Sequence, residues 1–126
     1  MKVLLVEDDR AAIEVLGFVI SKRFPNCAVS FAYDGEMGLQ AFKEQMPEIV
    51  VTDINMLKMD GLKLAEAIKS ISPGTKIIVV TAYSDRIHEE NFREIGISQH
   101  ILKPVQFDKL FAALNKIIEE IRLERQ

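Results

Sequence analysis

The chain has 126 residues, of which 48% are hydrophobic and 28% are charged, with a formal net charge of -3 at pH 7. This length and balance predict one folded domain, residues 1–126, without the basic excess that favours contact with nucleic acid. The single cysteine excludes an internal disulfide. The lack of a long apolar stretch and of a signal-peptide pattern predicts a cytoplasmic location without membrane contact.

Short apolar runs and helical periodicities alternate along the chain. The runs predict five strands, at residues 3–6, 27–32, 48–53, 77–80 and 99–102. Helices are predicted after each of them, at 11–24, from Asp34-Gly35 to Pro47, after Asp60-Gly61, at about 85–95 and from 107 to 121. Strict alternation of this kind predicts an α/β domain with a parallel sheet and helices on both faces.

Three details of this pattern are specific enough to test. Residues 27–32 alternate less cleanly than the other strands, which is typical of an edge strand. Asp9 and Asp60 are predicted to serve helix starts and not chemistry. Apolar residues at three- and four-residue steps predict the inner face of the third helix, namely Leu64, Ala65, Ile68 and Ile71.

Polar residues follow four of the five strands at one structural position. Glu7 and Asp8 follow the first strand, Asp53 ends the third, Thr81 ends the fourth and Lys103 follows the fifth. Because the carboxyl ends of parallel strands lie at one edge of a sheet, these side chains are expected to line one crevice. Three carboxylates held close together favour a hard divalent cation, and oxygen ligands point to Mg²⁺. With a lysine and a hydroxyl nearby, the cluster predicts that the aspartate attacks phosphorus.

Five short motifs at strand ends and in one loop occur in a fixed order: 4–9 (LLVEDD), 52–56 (TDINM), 59–61 (MDG), 80–82 (VTA) and 102–104 (LKP). Each alone is weak, but together they make the chain similar, over essentially its full length, to the receiver domain of bacterial two-component response regulators. The resemblance implies a flavodoxin-like (βα)5 three-layer sandwich with a five-stranded parallel sheet in the order 2-1-3-4-5.

The resemblance also implies a role for each residue of the site. Asp53 would accept a phosphoryl group from a sensor histidine kinase or a histidine phosphotransfer protein, in a reaction that depends on Mg²⁺. Glu7, Asp8 and Asp53 would hold the ion directly or through water, with the backbone carbonyl of Asn55 as a further ligand. Lys103 would pair with the phosphoryl oxygens. Apart from accepting and losing this group, the domain is expected to have no enzymatic activity.

A switch is implied at the fourth and fifth strands. Thr81 would turn its hydroxyl to the phosphate beside the small residue Ala82, and His100 occupies the position that would then turn inward. The changed surface would comprise the fourth helix, the fifth strand and the last helix. Its expected partners are an output domain or another protein, or a second copy in a phosphorylation-dependent homodimer. Residues 119–126 are expected to begin a helix that leads to an output domain.

Four positions depart from the family pattern or are predicted to modulate the lifetime of the phosphate. Leu57 stands where the family often has proline, which affects the shape of the loop over the site. His100 replaces the usual aromatic, and because imidazole titrates near neutral pH, its charge is predicted to bias the inward state. Asn55 and Tyr83 are predicted to flank the path of water to the phosphate and to set its lifetime.

Two other classes of protein fit part of the pattern. A Mg²⁺-dependent phosphohydrolase that forms an aspartyl phosphate resembles a D-x-D pattern, but Asn55 stands where the second acid is needed. A flavodoxin would share the fold, but the first loop here is acidic where a phosphate-bearing cofactor needs donors. The signalling module is therefore the preferred interpretation, and the phosphohydrolase is the alternative.

Overall fold

The computed structural model describes residues 1–82 and 86–126, with the backbone alone described for residues 86–88. Five strands form one parallel sheet in the order β2-β1-β3-β4-β5. The strands are β1 (Lys2–Val6), β2 (Ala28–Ala32), β3 (Ile49–Asp53), β4 (Lys76–Thr81) and β5 (Gln99–Leu102). The helices are α1 (Arg10–Arg23), α2 (Gly35–Gln45), α3 (Gly61–Ile71), α4 (Arg86–Ile95) and α5 (Phe107–Glu124). The predicted flavodoxin-like fold and strand order are confirmed.

The central strand β3 is buried along its whole length. Its β-branched residues suit a strand that is covered on both faces, where each fully buried branched side chain contributes roughly 1.5–3 kcal/mol. β3 pairs with β1 on one side, where Val6 lies opposite Thr52, and with β4 on the other, where Asp53 lies opposite Val80. The carboxyl ends of the three central strands are therefore level with one another.

Side chains alternate between two hydrophobic cores because successive strand residues point to opposite faces. Leu5, Val51 and Val80 point to the face that α1 and α5 cover. The other face carries Leu4, Val50 and Val79 among others, and α2, α3 and α4 pack against it through residues that include Phe42, Leu64 and Phe92. The two layers hold the sheet rigidly and leave its carboxyl edge for polar residues.

Most of the expected details are present, with one error. β2 is an edge strand, and Asp9, Asp34 and Asp60 each accept a backbone N–H at the start of a helix. The placement of Ile71 on the inner face of α3 is wrong, because its side chain is 45% exposed. It lies in the last turn, next to the exposed residues Pro73 and Gly74, where this end of the helix is open to solvent.

Within the ranges that the structure describes, no helix has both the length and the apolar composition needed to cross a bilayer.

Candidate functional site

Three acidic residues meet at the carboxyl edge of the sheet. Glu7 directly follows β1 and Asp53 ends the neighbouring β3, and both are buried, whereas Asp8 is exposed. Carboxylate oxygens of the three residues lie within 4.8 Å of one another. Residues that are far apart in sequence are brought together here because β1 and β3 are neighbours in the sheet.

Lys103 follows β5 and reaches the two buried acids. Its Nζ lies 2.8 Å from Asp53 Oδ2 and 3.8 Å from Glu7 Oε1. The backbone guides it there, since the Lys103 N–H donates to the Thr81 carbonyl at 2.8 Å and extends the pairing of β4 with β5. The site therefore contains one ammonium group among three carboxylates.

The carboxylate of Asp53 is fixed from two sides. Oδ2 accepts the hydrogen bond from Lys103, and Oδ1 accepts one from the backbone N–H of Ile54 at 2.8 Å. The side chain is only 7% exposed, so few other orientations are open to it. A carboxylate held in this way is presented to a reactant in one orientation.

Crowding of the acids changes their protonation. Burial, followed by the hydrogen bond to Asp53 and the negative charges of Asp53 and Asp8, raises the pKa of Glu7 to about 7, although Lys103 opposes this. Without a cation, Glu7 therefore keeps its proton to a higher pH than a free glutamate does, in a hydrogen bond to Asp53. Burial lowers the pKa of Lys103, but the hydrogen bond and charge of Asp53, with the charges of Glu7 and Asp8, raise it by more.

The donor set fits a hard divalent cation. All three side chains offer oxygen, which suits Mg²⁺, and within the described residues no thiolate or imidazole belongs to the cluster. A cation would also relieve the repulsion that keeps a proton on Glu7. The residues present therefore match a magnesium site better than a zinc site.

The remaining predicted residues lie at the end of β4 and in the loop after β3. Thr81 is buried at the end of β4, next to the bond that its carbonyl accepts from Lys103, and Ala82 follows it and is exposed. Asn55 lies in the loop between β3 and α3 and is exposed, and so is Leu57, at 74%. Tyr83, predicted to influence phosphate lifetime, lies outside the described residues.

His100 is on β5, three residues before Lys103, and its side chain is exposed. Its ring lies beside Phe92 of α4, with a centroid distance of 5.5 Å and an angle of 45° between the planes. Phe92 itself is buried. The exposed imidazole on the edge strand β5 is therefore in contact with α4.

A cavity of about 500 Å³ opens beside the cluster. Its lining includes Glu7, Asp53 and Lys103. The rest of the lining is a largely apolar wall made by α1, by the ends of β1, β3 and β4, and by residues within the segment 104–107. Val15 and Phe107 lie on this wall and are 50% and 40% exposed. Asp53 is therefore approached along a largely apolar wall, although the site itself is charged.

Two contacts of Asp53 could not be recognised from the sequence. The Thr52 hydroxyl donates to the Asp53 carbonyl at 2.8 Å, and Gly61 packs directly on the backbone of Asp53 and Ile54. The Asp60-Gly61 pair signals a turn and a helix start, and Asp60 does accept the Lys63 N–H. Nothing in that signal indicates that the glycine touches the strand end.

Comparison with known proteins identifies the family of the chain. A sequence profile described as the response regulator receiver domain matches residues 3–115. The chain belongs to the response regulator receiver domain family of two-component systems.

Several relatives carry a similar segment within longer proteins. The probable C4-dicarboxylate response regulator DctR of Bacillus subtilis is 35% identical over 117 residues, which is 91% of this chain and 51% of that protein. The transcriptional regulatory protein ZraR of Escherichia coli is 29% identical over 116 residues, which is 92% of this chain and 26% of that protein. The chain thus spans about a quarter to a half of these relatives.

Solved structures agree closely with the fold. The N-terminal domain of an uncharacterized protein from Wolinella succinogenes is 33% identical, has a TM-score of 0.88, and is matched over 100% of this chain and 99% of that one. A response regulator receiver domain protein from Clostridium thermocellum is 26% identical with a TM-score of 0.89, over 97% of both chains.

Proposed function

We propose that this domain accepts a phosphoryl group on Asp53 in a Mg²⁺-dependent reaction and passes the signal through the surface of α4, β5 and α5. The observation that carries the proposal is the fixed carboxylate of Asp53, hydrogen bonded to Lys103 at 2.8 Å beside Glu7 and Asp8. Membership of the receiver family supports the same chemistry.

In the proposed reaction, an oxygen of Asp53 attacks phosphorus as the bond from phosphorus to the donor's imidazole nitrogen breaks. The electrons of that bond leave with the imidazole, and an acyl phosphate remains on Asp53. Lys103, released from the carboxylate, pairs with the phosphoryl oxygens, and its raised pKa keeps it protonated. The Ile54 N–H holds the carboxylate in line meanwhile.

Glu7, Asp8 and Asp53 are the residues that would hold Mg²⁺, together with the carbonyl of Asn55. The ion would supply neutralisation of the charge on the transferred group. Glu7 would lose its proton when the ion binds, because the positive charge replaces the proton as the partner of the crowded acids.

The switch is proposed to pass from the site to the edge of the sheet. Thr81 and Ala82 would border the phosphoryl group at the end of β4, and Thr81 is linked to Lys103 through the backbone. His100 is exposed on β5 against Phe92, and this is proposed to be the outward arrangement. Inward rotation of His100 would change the surface that β5 shares with α4.

The proposed partners follow from the chemistry and from the relatives. A histidine kinase or histidine phosphotransfer protein would supply the phosphoryl group, and the apolar wall beside Asp53 offers it a contact surface. An output domain, a downstream protein or a second copy would bind the switched surface. The names of DctR and ZraR, which are regulators with much longer chains, support an output domain.

The direct test is the intact mass after incubation with acetyl phosphate and Mg²⁺. The wild type should gain one phosphoryl group, and Asp53→Asn should gain none. Asp34→Asn is a matched control, since Asp34 also lies near the carboxyl edge but caps α2, and asparagine caps helices equally well. Equal phosphate gain in wild type and Asp53→Asn would refute the assignment.

A further inference from the structure

We propose that Gly61 and Thr52 are positioning residues for the phosphoacceptor. They hold the peptide group that joins Asp53 to Ile54, and that peptide group aims the Asp53 carboxylate. The inference rests on the proposed function, because it explains how Asp53 is presented to a phosphoryl donor.

The peptide group of Asp53 and Ile54 is in contact at both of its ends. Its carbonyl oxygen, on Asp53, accepts the Thr52 hydroxyl at 2.8 Å, and its N–H, on Ile54, donates to Asp53 Oδ1 at 2.8 Å. Because a peptide group is planar and stiff, movement of its oxygen also moves its N–H. Displacing the carbonyl would therefore turn the carboxylate that the N–H holds.

Gly61 packs on this peptide group with no space between them. A Cβ atom added at Gly61 would lie 2.0 Å from the Asp53 carbonyl oxygen and 2.9 Å from Ile54 Cα. The Gly61 N–H also donates to the Ile54 carbonyl at 2.8 Å, so the start of α3 holds the following peptide group as well. This second peptide group joins Ile54 to Asn55, and the carbonyl of Asn55 is the expected ligand for the ion.

The size of the displacement indicates a large effect on the reaction. Real Cβ atoms essentially never lie within 3.0 Å of another group, so a methyl group at Gly61, 2.0 Å from the Asp53 oxygen, would require a shift of about 1 Å or more. Misplacement of a reacting group by about 1 Å is enough to cost about a hundredfold in rate. Gly61 is therefore more than the first residue of a helix.

A second glycine provides a matched control. A Cβ atom added at Gly35 would also lie 2.0 Å from a carbonyl oxygen, but this is the oxygen of Met59, at the far end of the loop between β3 and α3. Both glycines are buried and both begin helices after an aspartate. Replacement of Gly35 should therefore disturb the fold to a similar degree without pressing on the Asp53 peptide group. At Gly74 nothing lies within 4 Å of an added Cβ atom.

The experiment compares Gly61→Ala, Gly35→Ala, Gly74→Ala and Thr52→Val with the wild type. Phosphate gain from acetyl phosphate at saturating Mg²⁺ is followed by intact mass, at a temperature where circular dichroism shows each variant folded. In parallel, the amide resonance of Ile54 is recorded by NMR in Mg²⁺-free protein. The amide reports the hydrogen bond to Asp53 Oδ1 directly, which a general loss of stability would not change.

The expected rate falls at least tenfold for Gly61→Ala and three- to tenfold for Thr52→Val, with a shifted Ile54 amide in both. The rate for Gly35→Ala should stay within threefold of the wild type, and that for Gly74→Ala should be unchanged. Equal rates for Gly61→Ala and Gly35→Ala, or an Ile54 amide unchanged in Gly61→Ala, would overturn the proposal.

If Gly61→Ala does not fold, Thr52→Val decides, because valine keeps the shape of the side chain and removes only the hydroxyl. An unchanged rate together with an unchanged Ile54 amide in Thr52→Val would then overturn the inference. If the wild type itself gains no phosphate, the proposed function fails, while the Ile54 amide in the variants still tests the positioning.

Discussion

Charged side chains gather at both edges of the parallel sheet, and the two clusters differ in how their charges are paired. At the carboxyl edge, Glu7 and Asp53 share Lys103 as an ion-pair partner, and Asp8 lies beside these two acids. Two of the acids are buried, so solvent screens their repulsion poorly. Among the described residues of this cluster, carboxylates therefore outnumber ammonium groups.

At the amino edge the charges are matched. Glu48 accepts the Lys2 N–H at 2.8 Å and pairs with Arg125 at 2.9 Å. Lys76 pairs with Glu124 at 2.7 Å and lies 3.8 Å from Glu120. These contacts fasten the last turn of α5 to the sheet, and every charged side chain in them has a partner of opposite sign.

The pKa values of two glutamates show the contrast. Burial raises the pKa of Glu48, but the hydrogen bonds from the Lys2 N–H and Arg125 lower it by more, so the net shift is downward. The pKa of Glu7 moves upward to about 7. A cluster with unsatisfied charge can bind a cation, whereas a cluster with satisfied charge can only stabilise the fold.

The largest expected effect is on the rate of phosphorylation. Lys103→Met should slow phosphate gain from acetyl phosphate by about a hundred- to a thousandfold, because the developing charge loses its ammonium partner. Lys76→Met removes a lysine from the amino edge and should leave the rate unchanged. Phosphate gain in both variants is followed by intact mass. Equal slowing in the two variants would contradict the proposed contrast between the edges.

The next effect concerns pH and the Mg²⁺-free protein. Between pH 4.5 and about 7 the folded state keeps a proton on Glu7 that the unfolded chain releases, so the stability contributed by this group falls as the pH rises. The fall should approach about 3 kcal/mol. Urea unfolding in EDTA at pH 5 and pH 8 measures the greater part of this fall.

Glu7→Gln serves as the control for this pH effect, since glutamine does not titrate. The variant should lose the fall in stability over the same interval. An identical pH dependence in wild type and Glu7→Gln would show that the raised pKa of Glu7 does not govern stability.

Mg²⁺ should stabilise the folded protein through the carboxyl edge alone. At ten times its dissociation constant the ion contributes about 1.4 kcal/mol, which corresponds to about 5 °C in Tm. Thermal unfolding with and without EDTA should show this in the wild type and in Glu48→Gln, but not in a double variant with Glu7→Gln and Asp8→Asn. Equal stabilisation of the double variant would place the ion elsewhere.

The smallest effect is expected at the amino edge. Arg125→Gln should reduce stability by at most about 1 kcal/mol, because the side chain is largely exposed and its ion pair is screened by salt. The loss should shrink further in 0.5 M NaCl, as measured by urea unfolding. A loss of stability that is large and independent of salt would show that solvent does not screen the ion pair of Arg125. It would contradict the proposed contrast between the two edges.

The alternation of strands and helices could be predicted because its signals are local, whereas the strand order was implied by the family resemblance. Apolar runs of strand length, helical spacing and the aspartates before α1, α2 and α3 each depend on neighbouring residues. The convergence of Glu7, Asp53 and Lys103 also followed, since parallel strands bring their carboxyl ends to one edge. The positions of these polar residues at separate strand ends were sufficient to predict that their side chains converge.

Other features depended on distances between residues in the folded chain, which the sequence pattern does not specify. The contact of Gly61 with Asp53 is made across a loop, and Ile71 is exposed because of where the helix ends. The raised pKa of Glu7 required both its burial and the hydrogen bond to Asp53. The contact between the rings of His100 and Phe92 joins two different elements, β5 and α4.

The loop between β3 and α3 combines a buried start with an exposed middle. Asp53 and Ile54 are buried, whereas Asn55 and Leu57 are open to solvent. Natural selection can therefore vary the exposed positions without rebuilding the domain, while the anchored ones tolerate little change. We expect homologues to differ there in how long a signal persists, so that one scaffold serves both brief and lasting responses.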